Sequence, residues 1–262
     1  MDVLVVGGTG TVGRPTVQEL ARRGHAVRVL SRTRGDEPGV RHVTGDLVTG
    51  AGLAEALAGV DAVVDVSNIA TLDGTKAREF FVGATRRLVA AEAVAGVRRH
   101  VTLSIVGVDR MPTGYYKAKL AQEQALAEAA DAAGVRWSVL RATQFHDFAA
   151  LLLGQARRGP VVVVPALTVR PVATDDVAAA LADAVEQDAS GLLPVLAGSQ
   201  PMQLTDMVRA LLRRQGERAV VVPLPVPGRG AALVPAPVEP ARSGAGTFAA
   251  WLARQGATKS VP

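Results

Sequence analysis

The run "VLVVGGTGTVGRPTVQEL", residues 3–20, restricts the fold of this chain more than any other stretch. Apolar β-formers run directly into paired glycines, and an amphipathic helical pattern follows within a few residues, so a buried strand must turn sharply into a helix. Gly7 and Gly8 suit the tight turn, Gly10 lets a bound group approach the backbone, and Gly13 permits close packing of helix on strand. With Thr9, Thr11 and Val12 between them, these residues lead into a helix N-terminus whose N–H groups favour a pyrophosphate. Strand, glycine turn and helix in that order are the context that makes a dinucleotide fingerprint credible.

The first half of the chain repeats this alternation. Val- and Leu-rich runs at 3–6, 26–30, 41–45, 62–67, 100–107 and 137–143 predict buried strands. Helical patterns at 12–24, 76–96 and 114–134 lie between them, with Gly24, Gly96 and Gly134 at their stops. The expected fold class is therefore α/β, a Rossmann-type doubly wound parallel sheet covered by helices on both faces. After about residue 145 the pattern loosens, with no sharp linker and no repeat. Thr174 reads there as the N-cap of a helix reaching about Gln187, with Asp175 and Asp176 in its acidic first turn. A last helix is expected near 246–255. The stretch 223–245 carries six prolines and should be an extended covering segment or loop, not a sheet interior.

Composition narrows the chemistry. There is no cysteine, and the four histidines, His25, His42, His100 and His146, show no ligand spacing, so no metal is expected. Net charge is +5, but the arginines come as scattered pairs and only 3% of residues are aromatic, which argues against a nucleic-acid partner. No apolar run reaches bilayer length and no basic leader opens the chain. The expectation is a cytoplasmic protein with no membrane partner and an unreadable oligomeric state.

A dinucleotide site is tuned at the end of its second strand, where an acid holds ribose hydroxyls for NAD or an arginine accepts a 2′-phosphate. Here that position reads "VLSRTRGD". Arg32, with Ser31 and Arg34, favours NADP(H), while Asp36 and Glu37 keep NAD(H) open as the alternative. In "TGDL", Asp46 and Leu47 are placed to flank the adenine, or Asp46 simply starts a turn.

Together "GGTGTVG", "GDL", "HVTLSIVGVD", "GYYKAKLAQE", "RATQFHDF", "RPVATDDVA" and "GTFAAWL" resemble the short-chain dehydrogenase/reductase superfamily, and more closely its atypical, NmrA-like branch of NAD(P)-binding proteins. The resemblance implies a Rossmann core over residues 1–145 and a mixed segment, 146–262, completing the sheet and forming a small substrate lobe. It implies a cofactor across the carboxyl edge of the sheet, with Ser67 among its contacts. The superfamily's YxxxK spacing selects Tyr115 and Lys119. Lys119 would hold the nicotinamide ribose and lower the pKa of Tyr115 from about 10, and Tyr115 would pass a proton to a carbonyl oxygen. Ser104, at the end of the fifth strand, is the candidate third group, with Thr102 on the same face. Lys117 is the named rival for proton transfer. Gln144, Phe145 and His146 are candidates for the substrate pocket, although a lone histidine is more often a packed side chain.

The activity this implies is NADP(H)-dependent reduction of a small apolar or aromatic carbonyl, enone or quinone. The alternatives are a non-catalytic NADP(H)-binding sensor or regulator, and a nucleotide-retaining epimerase, isomerase or dehydratase.

Overall fold

The computed structural model describes residues 1–33, 35, 37–71, 73–111, 114–187, 189–226 and 242–255. Arg34, Asp36 and most of the proline-rich stretch lie outside the described residues.

Six parallel strands form the centre: β1 (Asp2–Val6), β2 (Ala26–Ser31), β3 (Arg41–Thr44), β4 (Ala62–Asp65), β5 (Arg99–Ile105) and β6 (Arg136–Ala142). Their spatial order is β3-β2-β1-β4-β5-β6, the doubly wound Rossmann order, so the direction of winding reverses between β1 and β4. Later strands are β7 (Arg157–Arg158), β8 (Val161–Pro165), β9 (Thr168–Val169), β10 (Gly191–Leu192), β11 (Leu196–Gly198), β12 (Met202–Gln203), β13 (Val220–Leu224) and β14 (Arg242–Gly244). Of these, β10 and β11 pair with β6, and β14 with β11, all in parallel. Residues past 145 therefore extend the main sheet as well as building outside it.

The helices are α1 (Gly13–Arg22), α2 (Leu53–Leu57), α3 (Gly74–Ala95), α4 (Gly114–Ala133), α5 (Phe148–Ala156), α6 (Thr174–Glu186), α7 (Leu204–Gln215) and α8 (Phe248–Arg254). Both faces of β1 are buried, which explains its unbroken apolar run: Val3 and Val5 pack with α1 and α6 on one side, Leu4 and Val6 with α2 and α3 on the other. Helix α4 lies against α3 on this second side, where Ala77, Phe81 and Ala118 interlock. A separate core joins α5, α7 and α8 to the small sheet β13-β8-β7 through Val162, Val164, Met207, Leu211 and Trp251.

Two local readings change. Helix α6 is capped by Ala173 in an extended conformation, with Thr174 as its first helical residue and no side-chain cap bond. Asp176 in its first turn instead accepts the Gly246 amide at 2.8 Å and ties the chain after β14 to α6. Pro223 does sit in a strand, but β13 is an edge strand, where a missing N–H is tolerated.

Candidate functional site

The glycine turn leaves β1 at its carboxyl end, beside the switch point. Gly7 has φ of +82°, and a Cβ there would lie 2.8 Å from the Val66 carbonyl oxygen and 2.9 Å from the Ser67 backbone, so the turn presses directly on the segment after β4. At Gly13 a Cβ would come within 2.1 Å of the Gly7 carbonyl oxygen and 2.6 Å of Gly8 Cα. Only glycine lets α1 start this close to the strand. The helix begins with Val12 as its N-cap residue and no side-chain cap, while Thr9, Gly10 and Thr11 are exposed. A cradle closed to side chains and a helix end without an internal cap fit the pyrophosphate of a dinucleotide.

Around this turn the other candidates divide. Arg32 is exposed after β2 and makes no ion pair among the described residues. The Ser31 hydroxyl donates to the Thr33 carbonyl, shaping the same loop. Glu37, a candidate for ribose, has Oε2 2.5 Å from His42 Nε2, but neither atom makes an aligned hydrogen bond. Asp46 takes the turn role: its Oδ1 accepts the Val48 amide at 2.6 Å and its carbonyl accepts the Gly50 amide at 2.7 Å. Leu47 packs into the core with Leu53 and Val43. Ser67 stands next to the turn with its Oγ buried and without a partner among the described residues. An orphaned buried hydroxyl on the segment that packs against the glycine cradle is a second feature that fits a bound cofactor.

Helix α4 brings the YxxxK pair to this edge, to adjacent strands. The Tyr115 hydroxyl donates to Asn68 Oδ1 at 2.7 Å, one residue beyond Ser67. Lys119 is buried, and its Nζ donates to the Leu103 carbonyl oxygen at 2.8 Å and to Gln122 Oε1 at 2.5 Å. Next along β5, Ser104 is buried with its Oγ orphaned. Thr102 is not the third group, because its hydroxyl is bonded to His100 Nε2 at 2.7 Å in the core.

The electrostatics depart from expectation. Burial, reinforced by Tyr116, pushes Tyr115 up to about 12 despite its bond to Asn68. Burial pulls Lys119 down to about 8 against the attraction of Asp65 and Glu123. Lys119 thus does not lower Tyr115 in this arrangement: it is turned toward Leu103 and Gln122, and the tyrosine toward Asn68. Glu123, the acid of the YxxxKxxxE run, makes a bidentate pair with Arg141 at 2.6 and 3.0 Å and fastens α4 to β6. Tyr116 packs into the separate lobe core, and Lys117 is exposed.

The three residues after β6 diverge. Gln144 is half-buried beside Tyr116. Phe145 bridges to Val172 and packs on the Rossmann core. His146 is 1% exposed, donates Nε2–H to the Pro171 carbonyl oxygen at 3.1 Å and lies against Phe248 and Trp251. Burial lowers its pKa, so it is a neutral, packed residue. Sequence reasoning missed Asn68, Asp65 and Gln122. Asp65 had a signal, a carboxylate interrupting the apolar run "AVVDV", and Gln122 had one in its i, i+3 spacing from Lys119.

Comparison with known proteins agrees with this geometry. A family model described as NAD(P)H-binding matches residues 7–188. The photosystem II assembly factor Ycf39 of Synechocystis is 34% identical over 117 residues, covering 43% of this chain and 36% of its own length. The chloroplastic divinyl chlorophyllide a 8-vinyl-reductase of Zea mays is 28% identical over 250 residues, covering 86% of this chain and 62% of its own length. The chain thus spans less than two thirds of these curated relatives. A short-chain dehydrogenase/reductase superfamily protein from Agrobacterium tumefaciens, solved with bound NAD, superposes with a TM-score of 0.73 at 21% identity, covering 97% of this chain and 95% of that one. Among the described residues no helix is long and apolar enough to cross a membrane. The chain belongs to the NAD(P)H-binding family.

Proposed function

We propose that the protein is an NADP(H)-dependent reductase of a small apolar or aromatic carbonyl, enone or quinone. This reading draws on a tyrosine hydroxyl bonded just after β4, a buried lysine bonded to β5 and an orphaned serine hydroxyl next along β5, on the sheet edge that also carries the glycine cradle. Gly7, Gly8, Thr9, Gly10, Thr11, Val12 and Gly13 would hold the pyrophosphate, Ser67 the region beyond it, and Lys119 the nicotinamide ribose. When bound, NADPH supplies the hydride. Ser104 orients the substrate oxygen through its free hydroxyl, and Tyr115 delivers the proton from its phenol oxygen. A tyrosine held at about 12 is protonated at neutral pH but a weaker acid than free tyrosine, so proton delivery on this reading requires bound cofactor and substrate to bring that value down. Arg32, exposed and without an ion pair among the described residues, supports NADP(H) over NAD(H).

A panel of quinone and enone acceptors with NADPH tests this directly. Tyr115→Phe should lower turnover by about 10²–10⁴ while leaving NADPH binding unchanged. Undiminished turnover in that variant would move proton delivery to another group and sink the role given to Tyr115. A second reading, NADP(H) binding without turnover, draws on the Tyr115–Asn68 bond, which keeps the hydroxyl occupied by the protein itself. Tight binding with no acceptor reduced would select it.

A further inference from the structure

Lys119 is a cation almost removed from water, and the way it is held is specific. Two of its three N–H donors go to Leu103 O and Gln122 Oε1, and its Nζ stands 4.7 Å from the centre of the Phe81 ring. Because Gln122 accepts from Lys119 through its oxygen, its amide nitrogen must face the other way. There Nε2 donates to Asp65 Oδ2 at 3.1 Å and to Thr85 Oγ1 at 3.2 Å. The glutamine is 1% exposed and Asp65 2% exposed, so neither contact is replaceable by bulk water.

Asp65 is also the last residue of β4. Its other oxygen, Oδ1, accepts the Ser67 amide at 2.9 Å, on the backbone against which Gly7 packs. One carboxylate therefore shapes the floor of the glycine cradle with one oxygen and reaches the lysine through Gln122 with the other.

The charged and titratable groups around Lys119 on each packed element are Asp65 on β4, Tyr115 and Glu123 on α4, Glu92 on α3, His100 on β5 and Arg141 on β6. Glu123 is neutralised by Arg141. Glu92 contacts His100 at 2.8 Å, and although burial pulls that imidazole down, the carboxylate more than offsets it and leaves its pKa raised. Asp65 has no cation in direct contact among the described residues.

We propose that Asp65, acting through Gln122, is the counter-charge and positioning group for Lys119. The amide between them keeps the carboxylate from binding the ammonium outright, while the charge of Lys119 stays compensated. Asp65 and Gln122 are positioning residues, since neither is assigned a contact with substrate or cofactor here. The proposal rests on the reading of Tyr115 and Lys119 as the working pair, and its test is independent of turnover.

The chain has only four lysines, Lys76, Lys117, Lys119 and Lys259, so isotope labelling of lysine resolves each side chain by NMR, with Lys119→Arg assigning the signal of interest. The wild-type Lys119 signal should titrate with a midpoint near 8. Asp65→Asn, which keeps shape and removes charge, should lower that midpoint by about one pH unit or more, a tenfold loss of proton affinity. Gln122→Met should lower it similarly, and the double variant should fall no further than the larger single effect, because both break one relay. Should Asp65→Asn fail to fold, Asp65→Ser, smaller and equally uncharged, takes its place, because Gln122→Met also removes a direct acceptor of Lys119 and cannot decide alone. Unchanged midpoints in the folded variants, or a shift in Asp65→Asn with none in Gln122→Met, would overturn the relay. Shifted midpoints in a protein that reduces no acceptor would leave the relay standing and remove the reductase reading, and unshifted midpoints in an active enzyme would do the reverse.

Discussion

The glycine turn and helix α4 meet the same sheet edge, and they treat their polar groups in opposite ways. At the turn, α1 starts without a side-chain cap, the Ser67 hydroxyl is orphaned and Arg32 is unpaired among the described residues. On α4, Lys119 and Tyr115 are both bonded to the protein, the lysine to Leu103 and Gln122 and the tyrosine to Asn68. Donors without a protein partner suit a ligand that arrives complete, whereas groups held by internal partners keep a fixed geometry and protonation state. On the proposed reading, the turn does the recognising and the helix the pre-positioning.

The largest expected effect lies at the turn. Gly13→Ala puts a methyl group against the Gly7 carbonyl and Gly8 Cα, backbone atoms that no side-chain rotation can move aside. It should cost about 1–3 kcal/mol in urea unfolding and weaken NADPH binding by at least about a hundredfold. Gly83→Ala is the control, since a Cβ there meets nothing within 4 Å in the interior of α3 and should be neutral or stabilising by about 0.5–1 kcal/mol. If Gly13→Ala binds NADPH like the control, the cradle is not what holds the dinucleotide, and the contrast between the two regions collapses.

The helix side predicts a pH signature. Lys119 titrates near 8 when folded, below its ordinary value of 10.5. Between those values the unfolded chain binds the extra proton, so raising pH through that window favours the folded state. Below the folded value the lysine is charged in both states and its burial penalty is present in full. Wild-type stability relative to Lys119→Met should therefore rise by about 2 kcal/mol between about pH 7.5 and 10, read by urea unfolding at a series of pH values. A flat difference would mean that Lys119 is not desolvated, and that α4 is as open as the turn.

This contrast also explains what the sequence disclosed. The fingerprint was legible because it is local: Gly7 and Gly13 are required by backbone approaches within a single strand–turn–helix unit, and the same periodicity located β1 to β6 with α1, α3 and α4. Tyr115 and Lys119 were legible by spacing. Their partners were not, because Asp65 ends β4 and Asn68 follows it, about 50 residues away in the chain, and both become neighbours only when β4 and β5 pair. The surroundings of His146 were hidden for the same reason. Adjacency to β6 was visible, but the covering of His146 by Phe248 and Trp251 comes from the far end of the chain.

The smallest expected effect sharpens the recognition half. Arg32 contributes no ion pair to the fold among the described residues, so Arg32→Ala should leave the unfolding midpoint unchanged. If its guanidinium accepts the 2′-phosphate, the variant should lose about tenfold in affinity for NADPH while its affinity for NADH stays within about twofold. The effect should shrink as salt is raised, because the contact is exposed and screened. Equal losses for both nucleotides would make Arg32 a general contact to the shared phosphates. No loss for either would transfer the choice of nucleotide elsewhere on the loop after β2.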